Sequence, residues 1–217
     1  MFYSLLCLFV YDCTACPTRC DNRTTPQFDF KRDVAFSELI EQEVISWIHT
    51  HYPTLKATKS TQVGYPDIAV THQNYPHEVL LWIEIKGQER TFMAITHLLK
   101  ESQLQPSETV ALNLSDLERY FSIKDIEKTP ILLVWCLLNR PCIVPQKEKL
   151  FFYQEIDILR QICAQDTHNT RRFRRESGIG DVVKGKHKGV TINYHFSLNE
   201  LRLGLPSLKK LDIDDKT

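Results

Sequence analysis

Asp67, Glu84 and Lys86 are the residues of this 217-residue chain whose types and spacing could do chemistry together. They lie in the stretch Gly64 to Gly87, GYPDIAVTHQNYPHEVLLWIEIKG, where apolar strand-like runs hold a few charges that a plain core would exclude. From Val79 to Lys86 one parity (Val79, Leu81, Ile83, Ile85) is wholly apolar, while the other (Leu80, Trp82, Glu84, Lys86) turns charged only at its end. Side chains alternate across a strand, so Glu84 and Lys86 share a face. The apolar first half of that face puts the charges at the rim of a sheet covered on both sides. Asp67 opens a second run, Ile68-Ala69-Val70, and the connection from His72 to His77 is rich in turn formers. This predicts an antiparallel hairpin with Asp67 beside the end of its partner strand. Two carboxylates and an ammonium then converge. A hard cation such as Mg²⁺ binds through one or two carboxylates, with waters and substrate phosphate completing its shell. Asp67 and Glu84 are the candidate metal ligands, the carbonyl of Ile85 a further oxygen, and Lys86 the group that holds or polarises an attacking water.

Pro66-Asp67, sixteen intervening residues and then Glu84-Ile85-Lys86 resemble the motif of the PD-(D/E)xK nuclease superfamily. That superfamily includes type II restriction enzymes, Holliday-junction resolvases and RecB-like exonucleases. The acid-x-Lys triplet alone is weak, because about two are expected by chance in a chain of this composition. Asp214-Asp215-Lys216 is another, but it lies in a polar tail, whereas Glu84-Ile85-Lys86 ends a hydrophobic strand behind a Pro-Asp partner. The resemblance implies an α/β, restriction-endonuclease-like core of helix, three-stranded antiparallel meander, crossover helix and strand, over roughly 36–138. It also implies a Mg²⁺- or Mn²⁺-dependent hydrolase of DNA phosphodiester bonds. A restriction- or resolvase-like endonuclease is favoured over an exonuclease, since no helicase or processivity domain accompanies the core, and a homodimer is compatible with it. Several members add a glutamate from the first helix as a metal or water ligand, and Glu41 is the candidate. The alternative, a nuclease fold that only binds nucleic acid or protein, is opposed by the intact Asp67, Glu84 and Lys86.

The elements that must position these residues follow from periodicity. Phe36, Leu39, Ile40, Val44, Trp47 and Ile48 predict a helix over 35–51 with Pro53 after its end. Residues 54–63 read as a first strand, 88–103 as the crossover helix with Phe92, Ile95, Leu98 and Leu99 inward, and 108–113 as a short strand. A helical turn follows over 114–120, capped by Ser115. The run 131–138, ILLVWCLL, is a buried central strand. A C-terminal strand-helix-strand extension is read from 149–154, 155–164 and 190–198. The division is thus an N-terminal appendage over 1–32, a nuclease-like domain over 33–204 (core 36–138, extension 139–204) and a surface tail over 205–217.

Composition excludes little. The formal net charge is zero, so any phosphate-binding surface must be local. One segment qualifies: seven Lys and Arg residues, Arg171, Arg172, Arg174, Arg175, Lys184, Lys186 and Lys188, stand against Glu176 and Asp181. Seven cysteines are an odd count, spread between an N-terminal group (Cys7, Cys13, Cys16, Cys20) and apolar segments. This is not a secreted disulfide framework, and Cys-x2-Cys-x3-Cys is only a partial metal signature. The apolar run Phe2 to Tyr11 is too short to span a bilayer, and the expected setting is cytoplasmic. Exposed Lys and Arg bind backbone phosphate with little sequence information. Replacing Arg172, Arg174 and Arg175 together with alanine is therefore expected to weaken DNA binding and flatten its salt dependence, as read by a salt titration of affinity.

Overall fold

The protein was analysed as a computed structural model, which describes residues 30–88, 91–138, 140, 143, 148–174, 182–183, 186–187 and 191–212. Cys7, Cys13, Cys16, Cys20, Arg175, Lys184 and Lys188 lie outside them, and of Lys186 only the backbone is described.

The first helix, α1 (Phe30–His51), starts five residues before its predicted beginning and stops just short of Pro53, which cannot continue a helix. Ile40, Val44 and Ile48, spaced at four residues, are its buried stripe. Three strands follow, β1 (Leu55–Lys59), β2 (Ile68–His72) and β3 (Tyr75–Gln88), joined as an antiparallel meander. The long β3 carries the Glu84 and Lys86 parity predicted from sequence. The chain then passes through α2 (Ile95–Leu98), β4 (Thr109–Asn113) and α3 (Leu114–Glu127) before β5 (Ile131–Leu137), which lies parallel to β3. A parallel neighbour demands a crossover connection, and α3 is the helix that makes it. This is the helix, meander, crossover helix and strand order of the restriction-endonuclease-like core. After it come β6 (Leu150–Glu155), α4 (Ile156–Gln165), β7 (Arg172–Arg174), β8 (Val182–Val183), β9 (Lys186–His187), β10 (Ile192–Ser197) and β11 (Arg202–Leu203).

The main sheet has the order β1-β2-β3-β5-β6-β11, and a second sheet has the order β4-β10-β7. All seven residues of β5 are buried, as a continuous apolar run at the centre of a two-sided sheet requires. On one face α1 packs over Ile68, Val70, Ile83, Ile85 and Val134. On the other, Trp82, Leu133 and Trp135 meet α3, α4 and the second sheet. Among the described residues no helix is long and apolar enough to cross a membrane.

Three expectations are corrected. The crossover helix is not 88–103: β3 extends to Gln88, and among the described residues of that segment only a four-residue turn at Ile95–Leu98 is α-helical. Its periodic Ile95 and Leu99 pack with Leu104 and Phe92 in a small cluster against Phe173, and Gln103 turns into the left-handed region at φ 58°. Residues 114–120 are not an isolated turn but the first half of α3, capped by the Asn113 side chain, which accepts a hydrogen bond from the Ser115 amide. The tail from Leu205 is not merely surface: Leu208 is buried in the α1-side core, and the Asp212 carboxylate accepts a hydrogen bond from the Thr54 amide at 3.1 Å. The extension also divides, since β6 joins the main sheet whereas β10 pairs with β4 and β7.

Close approach of α1 to β3 depends on Gly87. A Cβ built there would lie 2.6 Å and 2.8 Å from atoms of the Phe36 ring and 3.3 Å from Ile40. Gly87→Ala is expected to destabilise by roughly 1–3 kcal/mol through overpacking, read as a lower midpoint in urea with unchanged slope.

Candidate active site

The β2–β3 ladder ends at the Ile68–Ile83 pair, so Asp67 falls opposite Glu84 where the two strands part. Past that point the strand amide of Ile85 donates instead to Asp67 Oδ2 at 2.8 Å. A side chain has taken over the place of a ladder partner. Because the N–H and C=O of one strand residue point to the same side, the Ile85 carbonyl also faces the gap vacated by β2.

Glu84 is 2 % exposed. Its Oε1 is ion-paired with the Lys86 ammonium, and its Oε2 is buried without a hydrogen-bond partner. The Asp67 carboxyl is pushed up to about 6, first by burial and then by the negative charge of Glu84 opposite it. The Ile85 amide and Lys86 oppose that rise. Burial pulls the Lys86 ammonium down, but Glu84 and then Asp67 outweigh it and hold the lysine above its ordinary value. Asp67, Glu84 and Lys86 are thus brought together, as the hairpin reading expected.

Glu41 pairs with a different lysine. It is buried on α1, and its Oε2 lies 2.9 Å from the ammonium of Lys59, which also stands 3.7 Å from Glu38 and feels the Asp67 charge. Gln88, another near neighbour in sequence, links strands: its amide donates to the Ala111 carbonyl and its Oε1 accepts from Arg140. Arg171 is half-buried and ion-paired at 2.7 Å with Glu200, whereas Arg172 and Arg174 are exposed on β7. The buried His195 ring meets the Arg171 carbonyl, and burial lowers its basicity.

Helix α3 adds residues that periodicity did not single out. The buried Tyr120 phenol is held above its ordinary range by burial and then by the Glu84 carboxylate beside it. One residue before it, Arg119 is paired at 2.8 Å with Asp116, whose charge reaches Lys86. At the other end of the helix, Glu127 accepts from the Tyr65 hydroxyl at 2.5 Å and the Trp82 indole at 3.1 Å. That pair of bonds ties the turn before Asp67, the strand before Glu84 and α3 into one unit. The only sequence signal for these contacts was the amphipathic pattern continuing past Tyr120 to Ile123.

Among the described residues no group of three or more His, Cys, Asp or Glu side chains is arranged to hold a metal ion by itself. The donor set still suits Mg²⁺ or Mn²⁺, which bind through one or two carboxylates and leave other positions to water and phosphate. Two carboxylates placed opposite each other, one of them with a buried oxygen that has no hydrogen-bond partner, and a carbonyl facing the same gap are oxygen donors in excess of the protein's own partners.

No family model matches the sequence, and no curated protein matches it. Among solved structures it is similar to Hjc, a Holliday junction resolvase from Archaeoglobus fulgidus, with a TM-score of 0.42 and 11 % identity over 82 % of this chain and 95 % of that one. It is also similar to a nuclease from a fusselovirus, with a TM-score of 0.41 and 11 % identity over 88 % of this chain and 94 % of that one.

The raised Asp67 carboxyl has a signed effect on stability. Between about pH 4 and 6 the folded protein holds a proton that the unfolded chain has released, so stability falls as pH rises through this window and stays lower above it. Asp67→Asn keeps an acceptor for the Ile85 amide and removes the cost. At pH 7 in EDTA it is expected to be more stable than the wild type by up to roughly 3 kcal/mol, with the gain vanishing near pH 4 in thermal melts.

Proposed function

We propose that the protein is a metal-dependent nuclease that hydrolyses DNA phosphodiester bonds, most simply as an endonuclease of the restriction or resolvase type. The observation that carries this reading is the placement of Asp67 opposite Glu84, with Lys86 paired to Glu84, at the split between β2 and β3. Burying two carboxylates side by side costs folding free energy, and the hydrogen bond that Asp67 accepts from the Ile85 amide could be accepted by a neutral side chain. A bound cation repays that cost.

Asp67, Glu84 and the Ile85 carbonyl would hold the ion. When bound, a divalent cation polarises the scissile phosphate and lowers the pKa of coordinated water. Lys86 lies against Glu84, and its ammonium holds the attacking water or donates to a non-bridging phosphate oxygen as negative charge grows there. The water oxygen forms the new bond to phosphorus and gives up a proton to solvent, one P–O ester bond breaks, and the leaving oxygen takes up a proton from solvent. Glu41, held by Lys59, orients water at the helix side of the site. Arg172 and Arg174, exposed on β7, bind backbone phosphate and position the strand.

Single-turnover cleavage of plasmid and short duplexes across Mg²⁺ concentrations tests the reading. Lys86→Ala is expected to cut about a hundredfold to a thousandfold more slowly while sparing most of the metal affinity seen by calorimetry, since an ammonium ligates no cation. Asp67→Ala is expected to lose metal-dependent cleavage. Wild-type cutting that persists in EDTA, or an Asp67→Ala protein that cuts at the wild-type rate, would end the assignment.

A further inference from the structure

Arg119 stands where α3 meets the turn before Asp67. Its side chain runs past Gly64, and a Cβ built on that glycine would lie 3.4 Å from Arg119 Cδ and 3.7 Å from Nε. Gly64 has φ +84°, a conformation open to glycine, so the backbone there leaves room for the arginine stem. The guanidinium lies 5.2 Å from the centre of the Tyr120 ring, and Tyr120 in turn lies beside Glu84. Its carboxylate partner is Asp116, 2.8 Å away, and the charge of Asp116 reaches Lys86. Stem, ring and carboxylate thus hold one guanidinium in place at the border of the Asp67–Glu84–Lys86 group. The Arg119 side chain is nevertheless 41 % exposed.

Stability gives a weak reason for this arrangement. An exposed ion pair three residues apart on a helix adds little to folding. A planar fork of five donors shared between one Asp116 oxygen and the neighbouring Tyr120 hydroxyl, by contrast, keeps donors to spare for an oxyanion. Building on the nuclease reading, we propose that Arg119 is a phosphate-binding residue of the same site. Its guanidinium grips a non-bridging oxygen of a backbone phosphate neighbouring the scissile one and exchanges part of its contact with Asp116 for that oxygen. Asp116 is the partner that this oxygen displaces, so its carboxylate competes with the strand for the fork. The ligand class is a nucleic-acid phosphodiester, taken without regard to base.

The test is binding of the full chain to a short DNA duplex in EDTA, followed by fluorescence anisotropy over a salt series, so that the readout needs neither metal nor turnover. Arg119→Ala is expected to raise Kd about tenfold, as loss of one charge-assisted hydrogen bond implies, and to reduce the salt slope by about one. Arg119→Lys keeps the charge and the slope but loses the fork, and is expected to fall between Arg119→Ala and wild type. Asp116→Asn releases the guanidinium and removes a negative charge, so it is expected to bind at least as tightly as wild type. If the pair were only structural, both single variants would lower the melting temperature alike and leave Kd and slope unmoved, and that result would overturn the proposal. Should Arg119→Ala fail to fold, Asp116→Asn decides, because weaker binding by that variant contradicts the exchange. Wild-type protein that cuts DNA with Arg119→Ala binding unchanged sinks Arg119 alone. Wild-type protein that neither binds nor cuts sinks the nuclease reading with it.

Discussion

The hydrogen bond from the Ile85 amide to Asp67 Oδ2 is the interaction on which the arrangement depends. A strand amide deep in a sheet must find an acceptor, and at Ile85 the neighbouring strand has already turned away. Asp67 satisfies that amide with a side chain, which fixes the carboxylate beside Glu84 whatever the charge between them. The buried like-charge contact is therefore imposed by backbone accounting at the point where β2 and β3 separate. Neither carboxylate can relax away without leaving Ile85 unsatisfied or Glu84 without the Lys86 ammonium.

That arrangement needs support from both faces of β3. On the α1 face, Gly87 lets Phe36 and Ile40 close down on the strand immediately after Lys86. On the α3 face, Glu127 gathers the Tyr65 hydroxyl and the Trp82 indole, with Tyr65 and Trp82 themselves packed at 5.1 Å between ring centres and their planes tilted by 55°. The turn before Asp67 and the strand before Glu84 are thereby fastened to the same helix. Few local freedoms remain to the two carboxylates, which suits a site that must hold donors in place before its ligand arrives.

How much of this was legible in the sequence differs by element. The strand β3 and its two-charge rim were readable because period-two alternation survives any tertiary context. The central strand β5 was readable because seven apolar residues in a row leave no polar face. The crossover helix was not. Residues 88–103 carry helical spacing, but Ile95 and Leu99 pack with Leu104 and Phe173, a partner some seventy residues away that no local pattern announces. The real crossover helix, α3, has a weaker pattern because its site-facing side mixes Tyr120 with Asp116 and Arg119, residues spent on polar contacts. The same reason hid the pairing of Glu41: helical spacing located it beside the apolar stripe but said nothing of Lys59 at the end of β1.

The charges around the site explain why one carboxylate differs from the rest. Glu41 is paired with Lys59, Glu84 with Lys86 and Asp116 with Arg119. Asp67, by contrast, is anchored by a backbone amide, which supplies a dipole where the others have a full positive charge. Asp67 is thus left without a base of its own, an imbalance at a buried carboxyl that is pushed up to about 6 by burial first and by the Glu84 charge second. A proton relieves the imbalance in acid. Near neutral pH that proton is largely gone, and the remaining negative charge both attracts a cation and repels a phosphate that arrives without one. On the nuclease reading, a cation beside Asp67 and Glu84 would offset that repulsion for a phosphodiester at Lys86, while phosphates farther along the strand would meet it less.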